Sequence, residues 1–204
     1  MLELTGLMRM IFSMQKCFGV GGGSSVVILS PKAVERVAEV KSIRTTPYSL
    51  DLTGAIQKAQ EKYQTLNTPS SINIWMFNEA CKWMLANGGI KAMDALCKKH
   101  AKYIYDFVAK TDYLAPLIKN ESNRSTTTVT LEITDPKIVD ADISAALKAT
   151  GMPNLADGIK KYSSIKQNSL RIACFPFVDI NGVEQYKKLL SAVDKIVADL
   201  RSSK

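Results

Sequence analysis

Residues 13–23 read SMQKCFGVGGG, and this stretch decides how the chain is interpreted. Its one lysine, Lys16, lies between a short apolar run at 10–12 and a glycine-rich turn. The turn leads into Val26–Leu29, an apolar segment typical of a short buried strand. A lysine at the end of a strand, beside glycines that allow close approach, suits an amine that acts as a nucleophile. On these residues alone an ordinary exposed lysine is the favoured alternative, because most lysines are solvated.

The glycines of this stretch do not form a dinucleotide-binding fingerprint. That fingerprint requires a strand, then the glycines, then a helix. Here Gly19–Gly23 comes before the strand, and the helix predicted by the Ser30-Pro31 start signal comes only after it. A plain flexible turn is the simplest interpretation of the glycines.

Composition limits the class of protein and its partners. The chain has 204 residues, of which 46% are hydrophobic, which is enough for one ordinary domain or two small ones with a proper core. An excess of 27 Lys and Arg over 19 Asp and Glu gives a formal net charge of +8 and permits anionic partners such as phosphorylated metabolites. The basic residues are scattered and are not interleaved with aromatic residues, so we expect no nucleic-acid partner.

The cysteines and the single histidine argue against a metal site. The four cysteines are far apart in sequence, and His100 is the only histidine, so we expect no bound metal. His100 adjoins the inner stripe of a predicted helix, which favours a structural role. We interpret the cysteines as the reduced thiols of a cytoplasmic protein. No apolar run approaches membrane length, and residues 1–12 lack the features of a signal peptide, so we expect no membrane partner.

Periodicity predicts helices and strands in a mixed order. The Thr68-Pro69 pair is a good helix start, and the helix that it opens is apolar on several sides, which predicts burial on more than one side. Asp135-Pro136 is interpreted in the same way. Strands are expected from Thr126 and at 170–174, where apolar and polar residues alternate. The remaining helices are expected after Ser30-Pro31 and at about 55–63, 90–110 and 182–200.

This order indicates an α/β fold class, with an α+β layer at the end of the chain. We expect residues 1–100 to be the end of one larger domain and residues 101–204 to be a smaller second domain. One strand and three helices do not make a sheet-centred domain. We therefore expect that residues which would precede Met1 complete the first domain.

Three features could together support chemistry on an amino acid. Lys16 could form an imine, and the helix start at Thr68, with the Asn67 side chain, could bind a phosphate. Arg171, on the polar face of a short strand, could take a carboxylate in two parallel hydrogen bonds. Pyridoxal phosphate chemistry needs these three elements. The alternatives are that Asn67 and Thr68 only cap a helix and that Arg171 and Arg124 are ordinary strand-edge charges.

The order of five motifs resembles the phosphoserine aminotransferases, which are class V, type I pyridoxal phosphate enzymes. The motifs are SMQKCFG at 13–19, NTP at 67–69, the run from Trp83 to Gly89, NRSTTTV at 123–129 and SLRI at 169–172. The resemblance covers the chain from about Phe12 to Val197. It implies that the chain has the C-terminal part of the type I fold, namely the end of the large α/β domain and the small α+β domain.

The resemblance also implies roles for individual residues. Lys16 would bind pyridoxal 5'-phosphate covalently and then move the proton, with Gln15 in contact with the cofactor. Asn67 and Thr68 would hold the cofactor phosphate in the site of the neighbouring subunit of a homodimer, and Arg171 would take the substrate α-carboxylate. The reaction would interconvert phosphoserine and 2-oxoglutarate with 3-phosphohydroxypyruvate and glutamate in serine biosynthesis.

The chain departs from the family pattern at two places. The family has an aspartate upstream of the lysine that pairs with the pyridine nitrogen, whereas Glu3 is the only acid before Lys16. We therefore expect this chain alone to be weakly active or inactive. A His-Arg pair found in some branches is replaced by SIKQ at 164–167, and Lys160, Lys161 or Lys166 are candidates to bind the substrate phosphate instead.

Two other functions stay open on the sequence. One is a different class V enzyme, such as an alanine–glyoxylate aminotransferase or a desulfurase, because the His-Arg pair is absent. The other is a non-catalytic protein that binds a partner, or that binds anions through its basic surface.

Overall fold

The computed structural model describes residues 9–151 and 168–203, which divide into a first compact unit within residues 1–82 and a second within 83–204. The first unit contains strands β1 (Arg9–Ser13) and β2 (Ser25–Leu29) and helices α1 (Pro31–Ile43) and α2 (Thr53–Lys62). Helix α3 (Ser71–Ala86) begins in this unit and passes the boundary between the two. The second unit contains α4 (Gly89–Val108), β3 (Leu114–Pro116), β4 (Thr128–Ile133), α5 (Asp140–Ala149), β5 (Ser169–Ala173) and α6 (Glu184–Ser202).

The first unit is built on an antiparallel hairpin. Strand β1 pairs with β2 so that Arg9 lies opposite Leu29 and Ser13 opposite Ser25. A strand at 26–29 is confirmed, but its predicted burial is wrong for the described chain, since Val27 and Ile28 are 43% and 36% exposed. Helix α1 follows directly, with the Ser30 hydroxyl accepting a hydrogen bond from the Ala33 amide at 3.2 Å, as the start signal predicts.

Helix α3 begins later than the sequence indicates. Its first residue is Ser71, so the prediction that Thr68-Pro69 caps and opens the helix is wrong. The Ser70 hydroxyl accepts a hydrogen bond from the Asn73 amide at 3.5 Å, and the Ser70 carbonyl accepts one from Ile74 at 3.1 Å. Serine is as good a capping residue as threonine, and here it lies two positions nearer to the helix body.

The expected burial of α3 on more than one side is also wrong for the described chain. Asn73 is its only buried residue, whereas Ile72 and Trp75 are 59% and 61% exposed. Helix α3 carries apolar side chains on several sides. The residues of the first unit that the structure describes pack against only some of them and leave the others exposed.

The second unit has a three-stranded antiparallel sheet in the order β3-β4-β5, with Leu131 opposite Leu170 and Thr130 opposite Arg171. The period-two pattern is confirmed, since the alternate β4 side chains are buried and their neighbours are half-buried. The inner stripe of α4 is confirmed as well, and all of its members are buried: Met93, Cys97, Ala101, Ile104 and Val108. Strand β3 was not predicted, because three residues ending in proline give no periodicity.

His100 is fully buried in this core, in the structural position that its place beside the α4 stripe predicts. Its Nε2 lies 2.9 Å from the Asp179 carbonyl oxygen, and its ring centre lies 4.8 Å from that of Tyr186. The Tyr186 hydroxyl donates to the Ala173 carbonyl at 2.9 Å. The His100 Nδ1 lies 3.4 Å from the Cys174 carbonyl oxygen, so both ring nitrogens of this buried histidine have a polar partner. The contact with Tyr186 ties α4 to the start of α6.

Helix α5 begins at Asp140 and not at the predicted Asp135-Pro136. The Asp135 carboxylate accepts a hydrogen bond from the Lys137 amide at 2.9 Å, which forms a separate turn before the helix. The Asn168 side chain then caps the helix from a distant part of the chain, accepting from the Asp140 amide at 2.9 Å. A cap supplied from 28 residues away leaves no local signal in the sequence.

Among the helices that the structure describes, none is both long and apolar enough to cross a bilayer. The domain division expected near residue 100 stays a prediction. The boundary at 82/83 separates two compact units of the described chain.

We expect the second unit to lose stability in alkali through the Cys174 thiol, which is completely buried. Burial raises the pKa of Cys174 from 9.0 to about 12, so the thiol ionises first in the unfolded chain. The stability that this thiol contributes is present below about pH 9 and is lost as the pH rises to about 12. The pKa values of Tyr113 and Tyr186 are raised for the same reason and add to the effect.

Urea unfolding at about pH 8 and about pH 10.5 measures this loss. Cys174→Ala should remove about 2 kcal/mol of the difference in unfolding free energy between the two pH values. Cys81→Ala is the control, since Cys81 is only half-buried. Equal pH dependence in wild type and Cys174→Ala would contradict the assignment.

Candidate functional site

Lys16 lies in the turn between β1 and β2, and its side chain is exposed in this chain. The backbone of the turn is closed by a hydrogen bond from the Gly19 amide to the Lys16 carbonyl at 2.9 Å. On either side, Met14 and Val20 are buried, and the Val20 amide donates to the Met14 carbonyl at 3.3 Å. The turn therefore presents a lysine whose backbone is fixed while its amine is open to a reactant. Gln15, the neighbouring candidate, is exposed as well.

Three phenylalanine rings join this turn to α3. The Phe18 ring lies 4.8 Å from the Phe77 ring in an edge-on contact, and the Phe12 ring lies 5.4 Å from that of Phe18. Phe12 and Phe77 are 6.1 Å apart, which closes the triangle. Such pairs contribute about 0.5–1.5 kcal/mol each beyond the area that they bury. Strand β1, the Lys16 turn and α3 are thus packed together within the first unit.

A buried asparagine makes a second connection between the same two elements. The Asn73 side-chain amide donates to the Gly22 carbonyl and to the Ser24 hydroxyl, each at 3.2 Å. Gly21 lies so close that an added Cβ would be 2.9 Å from the Asn73 Oδ1. Asn73 is not among the residues predicted from the sequence, because the glycines that it contacts are about fifty residues away in the chain.

Asn67 and Thr68 are both exposed, in the segment that leads into α3. The segment is held by its backbone, because the Thr65 hydroxyl donates to the Asn67 carbonyl at 2.6 Å and Lys58 donates to the Leu66 carbonyl at 3.0 Å. Since the helix begins at Ser71, the helix end itself lies after these two residues. Asn67 and Thr68 can therefore bind a phosphate only through their own backbone amides and side chains. They do not belong to the first turn of the helix.

Arg171 belongs to the second unit, where it is half-buried on β5 opposite Thr130. It lies on the polar face of the sheet, as the alternation predicts, and its Nε atom is buried. Arg124 has a different use: its guanidinium donates to the carbonyls of Ile118 and Lys119 at 3.0 and 3.2 Å and lies over the Tyr105 ring. Arg124 is therefore bound to the loop before β4. The candidates Lys160, Lys161 and Lys166 and the SIKQ stretch lie outside the described residues.

A basic cavity of about 640 Å³ also lies in the first unit, apart from the Lys16 turn. Its apolar lining residues come from β2, α1 and the segment that follows α1. Arg9, Arg36, Lys41 and Arg44 line it, and Lys41 forms an ion pair with Asp51 that lowers the pKa of that carboxyl group. Neither Lys16 nor Asn67 is among its lining residues in the described chain.

Comparison with known proteins gives a consistent family. Residues 6–153 match the family model for aminotransferase class V. A phosphoserine aminotransferase from Rhodococcus opacus is 31% identical over 190 residues, which are 93% of this chain and 48% of that protein. The chain thus spans about half the length of the curated relatives it matches, and the resemblance inferred from the motifs is confirmed.

The fold comparison points to the same group. A phosphoserine aminotransferase from Cytophaga hutchinsonii superposes with a TM-score of 0.78 at 23% identity, over 95% of this chain and 50% of that one. An alanine–glyoxylate aminotransferase from Nostoc sp. superposes with a TM-score of 0.72 at 18% identity, over 96% and 49%. The predicted α/β class and type I aminotransferase fold are confirmed, and the fold alone does not separate these two activities.

The Lys16 turn should depend on glycine at one position and tolerate alanine at another. Gly19 has φ = 66°, so Gly19→Ala places a side chain in a left-handed conformation and should lower the free energy of unfolding by about 1 kcal/mol. Gly22 does not have a positive φ, and an added Cβ would meet nothing within 4 Å, so Gly22→Ala is the matched control.

Urea unfolding of both variants tests this difference. The expected result is a loss for Gly19→Ala and a change of less than about 0.5 kcal/mol for Gly22→Ala. Equal losses would mean that the turn does not have the described conformation.

Proposed function

We propose that this chain, which belongs to the aminotransferase class V family, contributes the reactive lysine and the substrate arginine of a pyridoxal phosphate-dependent phosphoserine transaminase. The observation that carries the proposal is the position of Lys16: an open amine on a backbone fixed by hydrogen bonds and aromatic packing at the end of a strand. An amine with that combination of access and fixed attachment suits covalent binding of an aldehyde.

The residues present fit this cofactor by their chemistry. Lys16 offers the amine, Gln15 lies next to it, and Asn67 and Thr68 offer amide and hydroxyl donors of the kind that bind phosphate. When bound, pyridoxal 5'-phosphate supplies an electron-withdrawing ring that acidifies the α-hydrogen of the amino acid. Lys16 would then take up and return that proton at its Nζ.

Substrate recognition would fall to Arg171. Its planar guanidinium can take the α-carboxylate in two parallel hydrogen bonds, which fixes the orientation of the substrate as well as its charge. The substrates of the proposed reaction carry carboxylate and phosphate groups, and the net charge of +8 favours their approach. The names of curated relatives support phosphoserine as the amino-acid substrate. We propose that the reaction interconverts phosphoserine and 2-oxoglutarate with 3-phosphohydroxypyruvate and glutamate.

Assembly is part of the proposal. We infer a cytoplasmic homodimer in which Asn67 and Thr68 of one subunit serve the site of the other. Residues 1–100 would belong to the large cofactor domain and 101–204 to the small one. The chain spans about half the length of its curated relatives, so the activity of the whole enzyme is proposed for the site and not for this chain alone.

One specific observation favours a second function, which is anion binding without catalysis. The cavity in the first unit is lined by apolar residues and by four basic ones, namely Arg9, Arg36, Lys41 and Arg44. Such a site could take an anion that carries an apolar group. The two functions predict different target lysines for the same anionic aldehyde, Lys16 for the first and Lys41 for the second.

Reductive trapping separates these functions. The chain is incubated with substoichiometric pyridoxal phosphate, borohydride fixes the aldehyde on the amine that it has reached, and peptide mass spectrometry locates it. We expect Lys16 to be labelled about 10-fold more than Lys32, an exposed lysine on α1, because the anchored turn should favour reaction there.

Lys16→Ala should abolish the main labelled peptide, whereas Lys41→Ala should leave it unchanged. Labelling mainly at Lys41 would support the anion-binding cavity instead. Equal labelling of all exposed lysines would contradict the transaminase proposal.

Replacing Arg171 tests the substrate site. Arg171→Lys keeps the charge but loses the two parallel hydrogen bonds. The glutamate concentration at which the bound cofactor shows half of its absorbance change should rise by about 10- to 100-fold. Arg201→Lys, at the exposed end of α6 in the same unit, is the matched control. An unchanged glutamate response in Arg171→Lys would exclude Arg171 from carboxylate binding.

A further inference from the structure

We propose that Asn73 is a positioning residue that locks the Lys16 turn onto the first turn of α3. The inference rests on the proposed function for the role of Lys16, but the lock itself is a property of this chain. It assigns a task to a residue that the family motifs do not include.

The hydrogen bonds of Asn73 are directional and span a long stretch of sequence. Its Nδ2 donates to the Gly22 carbonyl, 51 residues away, and to the Ser24 hydroxyl, 49 residues away. The side chain is 9% exposed, which makes Asn73 the one buried residue of α3. A buried amide that makes two hydrogen bonds to a loop fixes the register of that loop more sharply than apolar packing does.

The loop passes very close to the Asn73 side chain at Gly21. The Asn73 Oδ1 would be 2.9 Å from a Cβ at position 21, so only glycine allows the chain to pass this close to the helix. The Met14 amide donates to the Ser24 carbonyl at 3.4 Å, across the base of the same hairpin. The hydrogen bonds of Asn73 therefore hold both the end of β1, which precedes Lys16, and the start of β2, which follows the turn.

The same asparagine is tied to the segment that precedes α3. Its backbone amide donates to the hydroxyl of Ser70, three residues earlier in the chain and directly after Pro69. Thus one residue holds the Lys16 turn through its side chain and the start of α3 through its backbone. Under the proposed dimer, the lysine of one site and the phosphate contacts given to the other site would then move as one body.

A donor is required at this position, and its removal can be made almost isosteric. Asn73→Asp keeps the shape, loses the donor to the Gly22 carbonyl and places a carboxylate beside that oxygen. Asn78, an exposed asparagine on the same helix, gives the matched control Asn78→Asp. Gly21→Ala disrupts the same contact through the loop, because the added Cβ must displace the Asn73 carboxamide.

Two measurements on the chain test the proposal. The first is hydrogen exchange of the peptide that covers 14–24, which should become about 10-fold faster in Asn73→Asp and in Gly21→Ala, since two hydrogen bonds are lost. The second is the trapping yield at Lys16 relative to Lys32 in the same sample, which should fall by about 10-fold in both variants. Asn78→Asp should change neither.

The outcomes are distinct. Faster exchange together with a lower relative yield at Lys16 supports the proposal. Faster exchange with an unchanged yield would mean that Asn73 only stabilises the fold, which overturns its positioning role, and so would unchanged exchange in both variants. If wild-type Lys16 is not preferred in trapping, the proposed function fails, whereas the exchange result still decides whether the lock exists.

A double variant adds a check against general destabilisation. If Asn73 and Gly21 act through one contact, Gly21→Ala in an Asn73→Ala background should accelerate exchange much less than it does in the wild type. Additive effects would show that the two residues act independently and would overturn the lock.

Discussion

The attachment of the Lys16 turn to α3 is the constraint on which the first unit depends. A hairpin of two five-residue strands is marginal by itself in water. Its hydrogen bonds and modest apolar faces cannot offset the entropy of fixing its backbone. The three phenylalanine rings supply non-directional packing, while the Asn73 amide supplies direction, so that the turn has one register. Without α3, the Lys16 amine would lie on a flexible loop.

In the second unit, the burial of one face of the sheet determines how Arg171 is oriented. The sheet buries one face under α4, α5 and α6 and leaves the other face polar, which is the usual form of a small antiparallel layer. The buried face includes Val129, Leu131 and Ile172, each no more than 2% exposed. Arg171 lies between these core residues in sequence but on the opposite face. Core formation therefore determines the direction in which that arginine points, and no further interaction is needed to place it on the polar face.

The comparison of sequence with structure separates local signals from distant ones. Strand β2, the inner stripe of α4 and the alternation of β4 were predictable because each depends on a periodicity within a few residues. The starts of α3 and α5 were not, since a competing serine caps the first and Asn168 caps the second from far along the chain. For the candidate site, Lys16 and Arg171 could be proposed from residue type and motif, and their roles stay predictions. Asn73 was missed, because its importance arises only when the glycine turn is folded against it.

A nucleophilic lysine needs two properties that conflict in most positions of a protein. Its amine must be free to reach a reactant, while its backbone must stay in one place so that the reactant meets it in a fixed geometry. A residue inside a strand would have the second property without the first, and a residue in a free loop would have the first without the second. A tight turn whose flanking residues, Met14 and Val20, are buried gives both, and the closing hydrogen bond from Gly19 keeps the turn short. Gly21, one of the glycines that weaken this stretch locally, is therefore also the residue that allows α3 to come close enough to hold it.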